Sequence, residues 1–327
     1  CEEGVPLSSG EGLGVRLQTK GHHVRLSIHV TRQKPRHSPF AFRHSSFALP
    51  PYICSMSKII VPTDFTSVSE VAIRYACELS KFTKSEVNLL HIVTKENERA
   101  EAESKMQAQA TKLAVGQVGS VTAVGNIFED IPDTAEREKA ELIVMGTHGL
   151  RGMQFIVGSN ALRVVSEGNV PFIIVQEENK RSANIQKILA PLDLHQETKQ
   201  KLKVVVDVAK KFGAEVHLVS PKESDEYLHN KLARNVAYAE GYLEENNIKY
   251  KTAVTDASSG GFVKDLLKYA NYADIDLICI LNTAEDRLVH AFGVDSEQKI
   301  ITNDAGIPVM ILNPAATYKD SASVFAQ

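Results

Sequence analysis

No segment of the 327-residue chain is apolar over enough consecutive positions to cross a bilayer, so no membrane partner is expected. Charge of one sign is equally scarce. A formal net charge of -3 gives no basic surface for nucleic acid or an anionic membrane, and no nucleic-acid partner is expected. Cysteine is sparse and scattered, at Cys1, Cys54, Cys77 and Cys279, with no metal-ligand spacing; this predicts a reducing, cytoplasmic setting and no bound metal site. Familiar catalytic signatures are missing as well. The chain has no Gly-x-x-x-x-Gly-Lys-[Ser/Thr] phosphate loop, no Gly-x-Gly-x-x-Gly fingerprint after its first strand and no Gly-x-Ser-x-Gly elbow. No catalytic set is visible, which favours a binding protein over an enzyme.

What is present centres on Leu142 to Val165. An apolar run, Leu142 to Met145, breaks at Gly146, passes Gly149 and Gly152, and closes on Gly158-Ser159-Asn160. This pattern predicts a buried strand feeding a glycine loop. Glycines allow backbone N–H groups to approach an anion closely, and Ser159 or Asn160 would cap a following helix whose N-terminus favours negative charge. The expected ligand is a nucleotide. The competing explanation, that the glycines serve only to turn the chain, stays open at this point.

Taken in order, residues 1–55 do not read as a domain: no acidic residue follows Glu11 until Asp64, and no apolar periodicity persists. A disordered leader is expected there, arising from upstream sequence rather than from targeting. From Met56 the pattern is regular. Lys58 to Asp64 predicts a strand stopped by Pro62, and Ser67 with Glu70 predicts a capping box opening an amphipathic helix. Further strands are expected at Glu86–Val93, Ser120–Val124, Leu142–Met145 and Val170–Val175, with helices at Ala100–Val115 and Ile131–Lys139. Strands alternating with helices predict parallel pairing, with right-handed crossovers covering both faces.

The pattern then repeats. Lys187-Ile-Leu-Ala-Pro-Leu-Asp193 restates Lys58-Ile-Ile-Val-Pro-Thr-Asp64, and Glu215-Val-His-Leu-Val restates Glu86-Val-Asn-Leu-Leu at the same offset of 129 positions. Leu277-Ile-Cys-Ile answers Leu142-Ile-Val-Met, and Ile307 to Leu312 answers Val170 to Val175. Four matches in one order predict two copies of a domain. The expected organisation is a leader at 1–55, a first domain at 56–178, a polar linker at 179–184, a second domain at 185–316 and a tail at 317–327.

Together, Pro62-Thr63-Asp64, Met145-Gly-Thr-His-Gly149, Gly158-Ser159-Asn160 and Val170-Pro-Phe-Ile-Ile-Val175 resemble a universal stress protein, and Met56 to about Pro314 resembles a tandem, two-domain member. The resemblance implies an α/β fold of two Rossmann-like domains, each a five-stranded parallel sheet in the order 3-2-1-4-5 with helices on both faces. It also implies ATP, with Mg²⁺ on its phosphates, as the ligand. By matching position, Asp64 would hold the ribose side, Gly146 and Gly149 the phosphate backbone, and Gly158, Ser159 and Asn160 the phosphate oxygens. His91 to Val93 would contribute to the pocket walls. Eight residues, Leu150 to Val157, separate Gly149 from Gly158, where the ATP-binding pattern has nine.

The second copy departs further. Its loop, Leu281 to Asp295, keeps only Gly293 and places Glu285 and Asp286 where phosphates would sit, so that site is expected to be dead for nucleotides. His148 is assigned no catalytic role, Asp256 to Gly261 is read as a cap for the helix from Phe262, and Cys77 and Cys279 as buried packing. Lysines between Lys199 and Lys211 are read as the solvated face of a helix. The function implied is a nucleotide-responsive stress or signalling module. A slow ATPase or phosphotransfer protein and a ligand-free scaffold are the alternatives. The closing strands, expected at the sheet edges, could pair the two domains within one chain, and a homodimer is a further possibility.

Overall fold

The computed structural model describes residues 13–15, 28–30, 58–147, 164–165, 168–192, 194, 198–257, 261–282 and 296–313. A short antiparallel pair, Leu13–Val15 with Ile28–Val30, forms a separate two-stranded sheet, and Ile28–Val30 lies against the edge strand Tyr250–Val254 of the main sheet. Numbering the main elements from Lys58, the first half contributes β1 (Lys58–Pro62), α1 (Ser67–Thr83), β2 (Glu86–Val93), α2 (Arg99–Leu113), β3 (Gly119–Val124), α3 (Ile127–Arg137), β4 (Leu142–Thr147) and β5 (Phe172–Gln176). The second half contributes β6 (Lys187–Pro191), α4 (Thr198–Phe212), β7 (Glu215–Ser220), α5 (Glu226–Glu245), β8 (Tyr250–Val254), α6 (Phe262–Tyr272), β9 (Leu277–Leu281), α7 (Ser296–Ile301) and β10 (Val309–Leu312).

All ten strands join one sheet in the order β8-β7-β6-β9-β10-β5-β4-β1-β2-β3. Within each half the order is 3-2-1-4-5 and every pairing is parallel, as the apolar runs and the family resemblance implied. Such runs arise because both faces of these strands are covered: Ile59, Ile60 and Val61 are all 0% exposed. On one face Ile59, Leu89 and Leu142 pack with α1, α2, α4 and α5; on the other Ile60, Leu90 and Ile143 pack with α3, α6 and α7. Full burial of each such side chain stabilises by about 1.5–3 kcal/mol.

The halves meet where β5 runs antiparallel to β10, with Ile174 opposite Val309, Ile173 opposite Met310 and Phe172 opposite Ile311. Two amides flank this junction in matching roles. Gln176, just inside the end of β5, donates from Nε2 to the carbonyl of Ile301 at the end of α7, at 2.7 Å. Asn313, just past β10, donates from Nδ2 to the carbonyls of Val165 and Gly168. Each half thus satisfies carbonyl groups of the other that a helix or turn leaves orphaned.

Three local expectations are corrected. Thr66, not Ser67, precedes the first turn of α1; Ser67 lies inside the helix, with its hydroxyl on Glu177, and Glu70 bonds Lys112 at 2.6 Å instead of closing a capping box. α3 begins four residues before Ile131, because Asn126 Oδ1 accepts from Phe128 N and Glu129 N at 3.0 and 3.1 Å and so fixes the earlier start. β4 does not break at Gly146 but continues through Thr147, with Gly146 opposite Val175 and Thr147 opposite Gln176. Among the described residues, no helix is long and apolar enough to cross a membrane.

Candidate functional site

Right-handed crossovers place the first turn of α1 and the loop leading to it above the C-terminal ends of β1 and β4, where a cleft opens. Thr63, the residue after β1, is buried, and its N–H extends the strand pairing by donating to the carbonyl of Leu90 at 2.8 Å. Its hydroxyl lies 2.8 Å from Gln109 Oε1 on α2 and 3.0 Å from Ser69 Oγ on α1, and it accepts from Phe65 N at 3.1 Å. One buried hydroxyl therefore joins β1, α1 and α2 directly beneath the cleft. Breaking such a group costs about 1–3 kcal/mol, because its partners lose their bonds without regaining water.

Above that hub the chain turns sharply. Phe65 sits at φ 66, in the left-handed region that bulky residues rarely occupy. The turn leaves the Asp64 carboxylate exposed at the cleft, where Oδ1 accepts from Thr66 N at 3.1 Å and from Thr66 Oγ1 at 2.5 Å. Phe65 is held by the His91 ring, with centroids 4.5 Å apart, and the Lys105 ammonium lies 5.9 Å from the Phe65 ring centre. His91 Nδ1 is 2.7 Å from the carbonyl of Thr63.

Gly146 lies on the opposite wall. A Cβ there would stand 2.5 Å from the carbonyl oxygen of Val68 and 2.7 Å from Val68 Cγ1. The glycine is therefore required by the close approach of α1 to β4, a packing role in place of the loop position expected from sequence. Between Asp64 and Gly146 the lining is apolar: Leu90 and Ile92 from β2, Ile127 and Ile131 from α3, and Met145 from β4. The arrangement offers an apolar slot with the Asp64 carboxylate, the Thr66 hydroxyl and His91 among its lining residues, suited to a ring with polar edges. A nucleoside fits this chemistry.

Of the six residues singled out in the sequence, the structure brings Asp64 and Gly146 to one cleft. Gly149, Gly158, Ser159 and Asn160 lie outside the described residues, as does His148. The sequence reading missed Thr63, Ser69 and Gln109. Gln109 carried a signal, since it falls three residues after Met106 and beside Ala110 on the buried face of α2. Among the described residues, no group of three or more His, Cys, Asp or Glu side chains is placed to hold a metal. Burial pushes the Cys77 thiol up to about 11 and the Cys279 thiol up to about 12, so neither is a nucleophile near neutral pH.

The second half treats the same place differently. Leu192, wholly buried, stands where the first half has Thr63, and its N–H donates to the carbonyl of Val219 at 2.7 Å. Strand register sets Leu281 at the position of Gly146 and Ser220 at that of His91. Lys201 of α4, read from sequence as solvated, is 5% exposed and donates to the carbonyl of Pro191 at the end of β6. It lies on the same helical face as Val205 and Val208, four and seven residues on. Asp193 and residues 283–295 lie outside the described residues.

Residues 56–176 match the Universal stress protein family model. Universal stress protein MJ0577 of Methanocaldococcus jannaschii is 28% identical over 155 residues, covering 37% of this chain and 96% of its own length. A universal stress protein of Archaeoglobus fulgidus superposes with a TM-score of 0.59 at 17% identity, covering 79% of this chain and 97% of that one, a likeness of fold. Another Archaeoglobus fulgidus universal stress protein, 23% identical with a TM-score of 0.30, covers 37% of this chain and 98% of its own, and was solved in complex with dAMP.

Proposed function

Because the chain belongs, through residues 56–176, to the universal stress protein family, we propose that its first half binds ATP in the cleft above β1 and β4 and that the protein acts as a nucleotide-responsive stress or signalling module in the cytoplasm. The observation that carries this is the cleft itself: an apolar slot between Gly146 and the Asp64–Thr66 turn. The slot takes the base, and the Asp64 carboxylate accepts from ribose hydroxyls. The phosphates extend toward Gly149, Gly158, Ser159 and Asn160, whose backbone N–H groups and hydroxyl would hold them with Mg²⁺ as counter-charge.

Residues 56–178 form the binding unit in this proposal, and residues 185–316 a companion without nucleotide. Leu192, Leu281 and the buried Lys201 support that assignment, because the second half lacks the hydroxyl of Thr63 and the glycine of Gly146 at the matching strand ends. The two halves work as one unit across the β5–β10 junction. Binding rather than turnover is proposed, since among the described residues the cleft is lined by one carboxylate, Asp64, and by no lysine or arginine that could stabilise a transferring phosphoryl group.

The test is the nucleotide content of the purified protein, released by denaturation and separated by ion exchange, with Gly149→Asp alongside. One ATP or ADP per chain, lost in the variant, is expected. Two per chain would overturn the assignment of the second half. No nucleotide, together with no heat on titration with Mg-ATP, would overturn ATP binding and leave a ligand-free scaffold.

A further inference from the structure

The ten-stranded sheet has two edges, β3 and β8, and they are finished differently. Gly125 N donates to the carbonyl of Val93 at 3.0 Å, and Thr255 N to the carbonyl of Ser220 at 2.9 Å, which fixes the residues that turn toward the neighbouring strand. Alternation then leaves the N–H and C=O groups of Ser120, Thr122 and Val124 facing outward on β3, and those of Tyr250, Thr252 and Val254 facing outward on β8. On β3 the Arg99 guanidinium donates to the carbonyl of Thr122, a residue 8% exposed. Val254 holds the matching register position on β8 and is 42% exposed, and among the described residues no side chain bonds to the outward backbone groups of β8. One edge is guarded by a side chain; the other is a template for an added strand.

One stretch of the chain has the pattern to use that template. Val24-Arg-Leu-Ser-Ile-His-Val-Thr31 alternates apolar and polar residues at every position, a strand period within residues 1–55, where none was expected. Its centre, Ile28–Val30, lies against β8 and carries Leu13–Val15 paired on it, with no ladder joining it to the main sheet. Charge favours this neighbour. No acidic residue falls between Glu11 and Asp64, and Arg25 and Arg32 sit in and beside the run, whereas the flank of β8 is acidic: Glu240 of α5 accepts from Thr252 Oγ1 at 2.6 Å and Glu244 from the Tyr250 hydroxyl at 2.7 Å. A second copy would bring the same glutamates to its own β8, so like charges would meet. We infer that the β8 edge is a strand-docking site and that its occupant is this chain's own residues 24–31, joined to it by main-chain hydrogen bonds to Tyr250, Thr252 and Val254.

The experiment reads amide hydrogen exchange, residue by residue, in the full chain. In wild type the amides of Thr252 and Val254 exchange at least about tenfold more slowly than in a double variant, Ile28→Pro with His29→Pro, which removes ladder donors on both sides of the docking strand. Lys251 and Ala253, whose amides bond β7, stay protected in both proteins and report that the second half remains folded. Exchange of Thr252 and Val254 at the rate of an open amide in wild type overturns the inference, because the edge is then empty. Protection that survives the double variant overturns it too; if that protection also rises with protein concentration, the occupant is a second copy.

Discussion

The two halves of the sheet repeat one strand order, yet they spend the space above their strand ends differently. The first half leaves a cleft between Gly146 and Thr63; the second sets Leu281 and Leu192 at those positions and drives the Lys201 ammonium onto the carbonyl of Pro191. Everything below that level is shared: the buried strands, the parallel register and the N–H of the residue after the first strand bonded to the second. The difference teaches that residues at the strand ends can change while the sheet beneath them is kept.

The largest test of that contrast is to give the first half the character of the second. Gly146→Val places methyl groups against the Val68 carbonyl, and we expect ATP binding to vanish in calorimetry and stability to fall by about 3 kcal/mol in urea unfolding, the upper range for overpacking. Next comes Thr63→Val, which takes the donor from Gln109 Oε1 and the acceptor from Phe65 N; we expect a loss of about 2 kcal/mol. Thr63→Ser, which keeps a hydroxyl for Gln109 Oε1 and Phe65 N, should recover most of it. If Thr63→Val alone is neutral, the hub does not organise the cleft.

The junction offers a smaller test. Gln176→Leu leaves the carbonyl of Ile301 buried without its donor, and Asn313→Leu takes its donor from the carbonyl of Gly168, while that of Val165 keeps the Gly168 N–H; each costs about 1 kcal/mol. Equal losses would mark the two amides as equivalent; a loss confined to one would make the junction asymmetric.

The smallest effect distinguishes α1 from α4. Glu78 of α1 accepts from the Ser182 hydroxyl, whereas Asp207, its counterpart on α4, has Oδ2 buried without a hydrogen-bond partner among the described residues. Burial pushes the Asp207 carboxyl up to about 6. Its folded value lies above its unfolded one, so the folded state holds the proton more tightly and stability falls as pH rises from about 4 to about 6. The measurable quantity is the difference between wild type and Asp207→Asn in thermal unfolding. The variant should gain up to about 1 kcal/mol relative to wild type across that window, a modest figure because solvent still screens this half-buried group. A constant difference between pH 4 and 6 would refute the assignment.

Much of the fold was legible because strands covered on both faces leave continuous apolar runs, and because the same runs return at a constant offset. The start of α3 was hidden by Pro132, which reads as a boundary although Asn126 had already capped the helix. Gly146 misled for a physical reason: a glycine at a strand end is required equally by a turn and by a helix packed close above, and only the position of Val68 decides between them. Lys201 misled through its charge, although its spacing from Val205 and Val208 placed it on the buried face. Of the site, Asp64 was legible from Pro-Thr-Asp, whereas the bond of His91 to Thr63 joins residues 28 positions apart and leaves no trace in local pattern.

The antiparallel seam between β5 and β10 has a consequence for how the protein behaves on dilution. Two separate chains meeting edge to edge would come apart as their concentration fell, and their melting temperature would follow it. Here residues 177–186 tie the two halves into one chain, which keeps the two strands at an effective concentration of about millimolar or above. The seam therefore holds at any abundance, and a substitution in one half is not copied into the other. The second half was free to change its strand ends while still lending the first an edge to lean on.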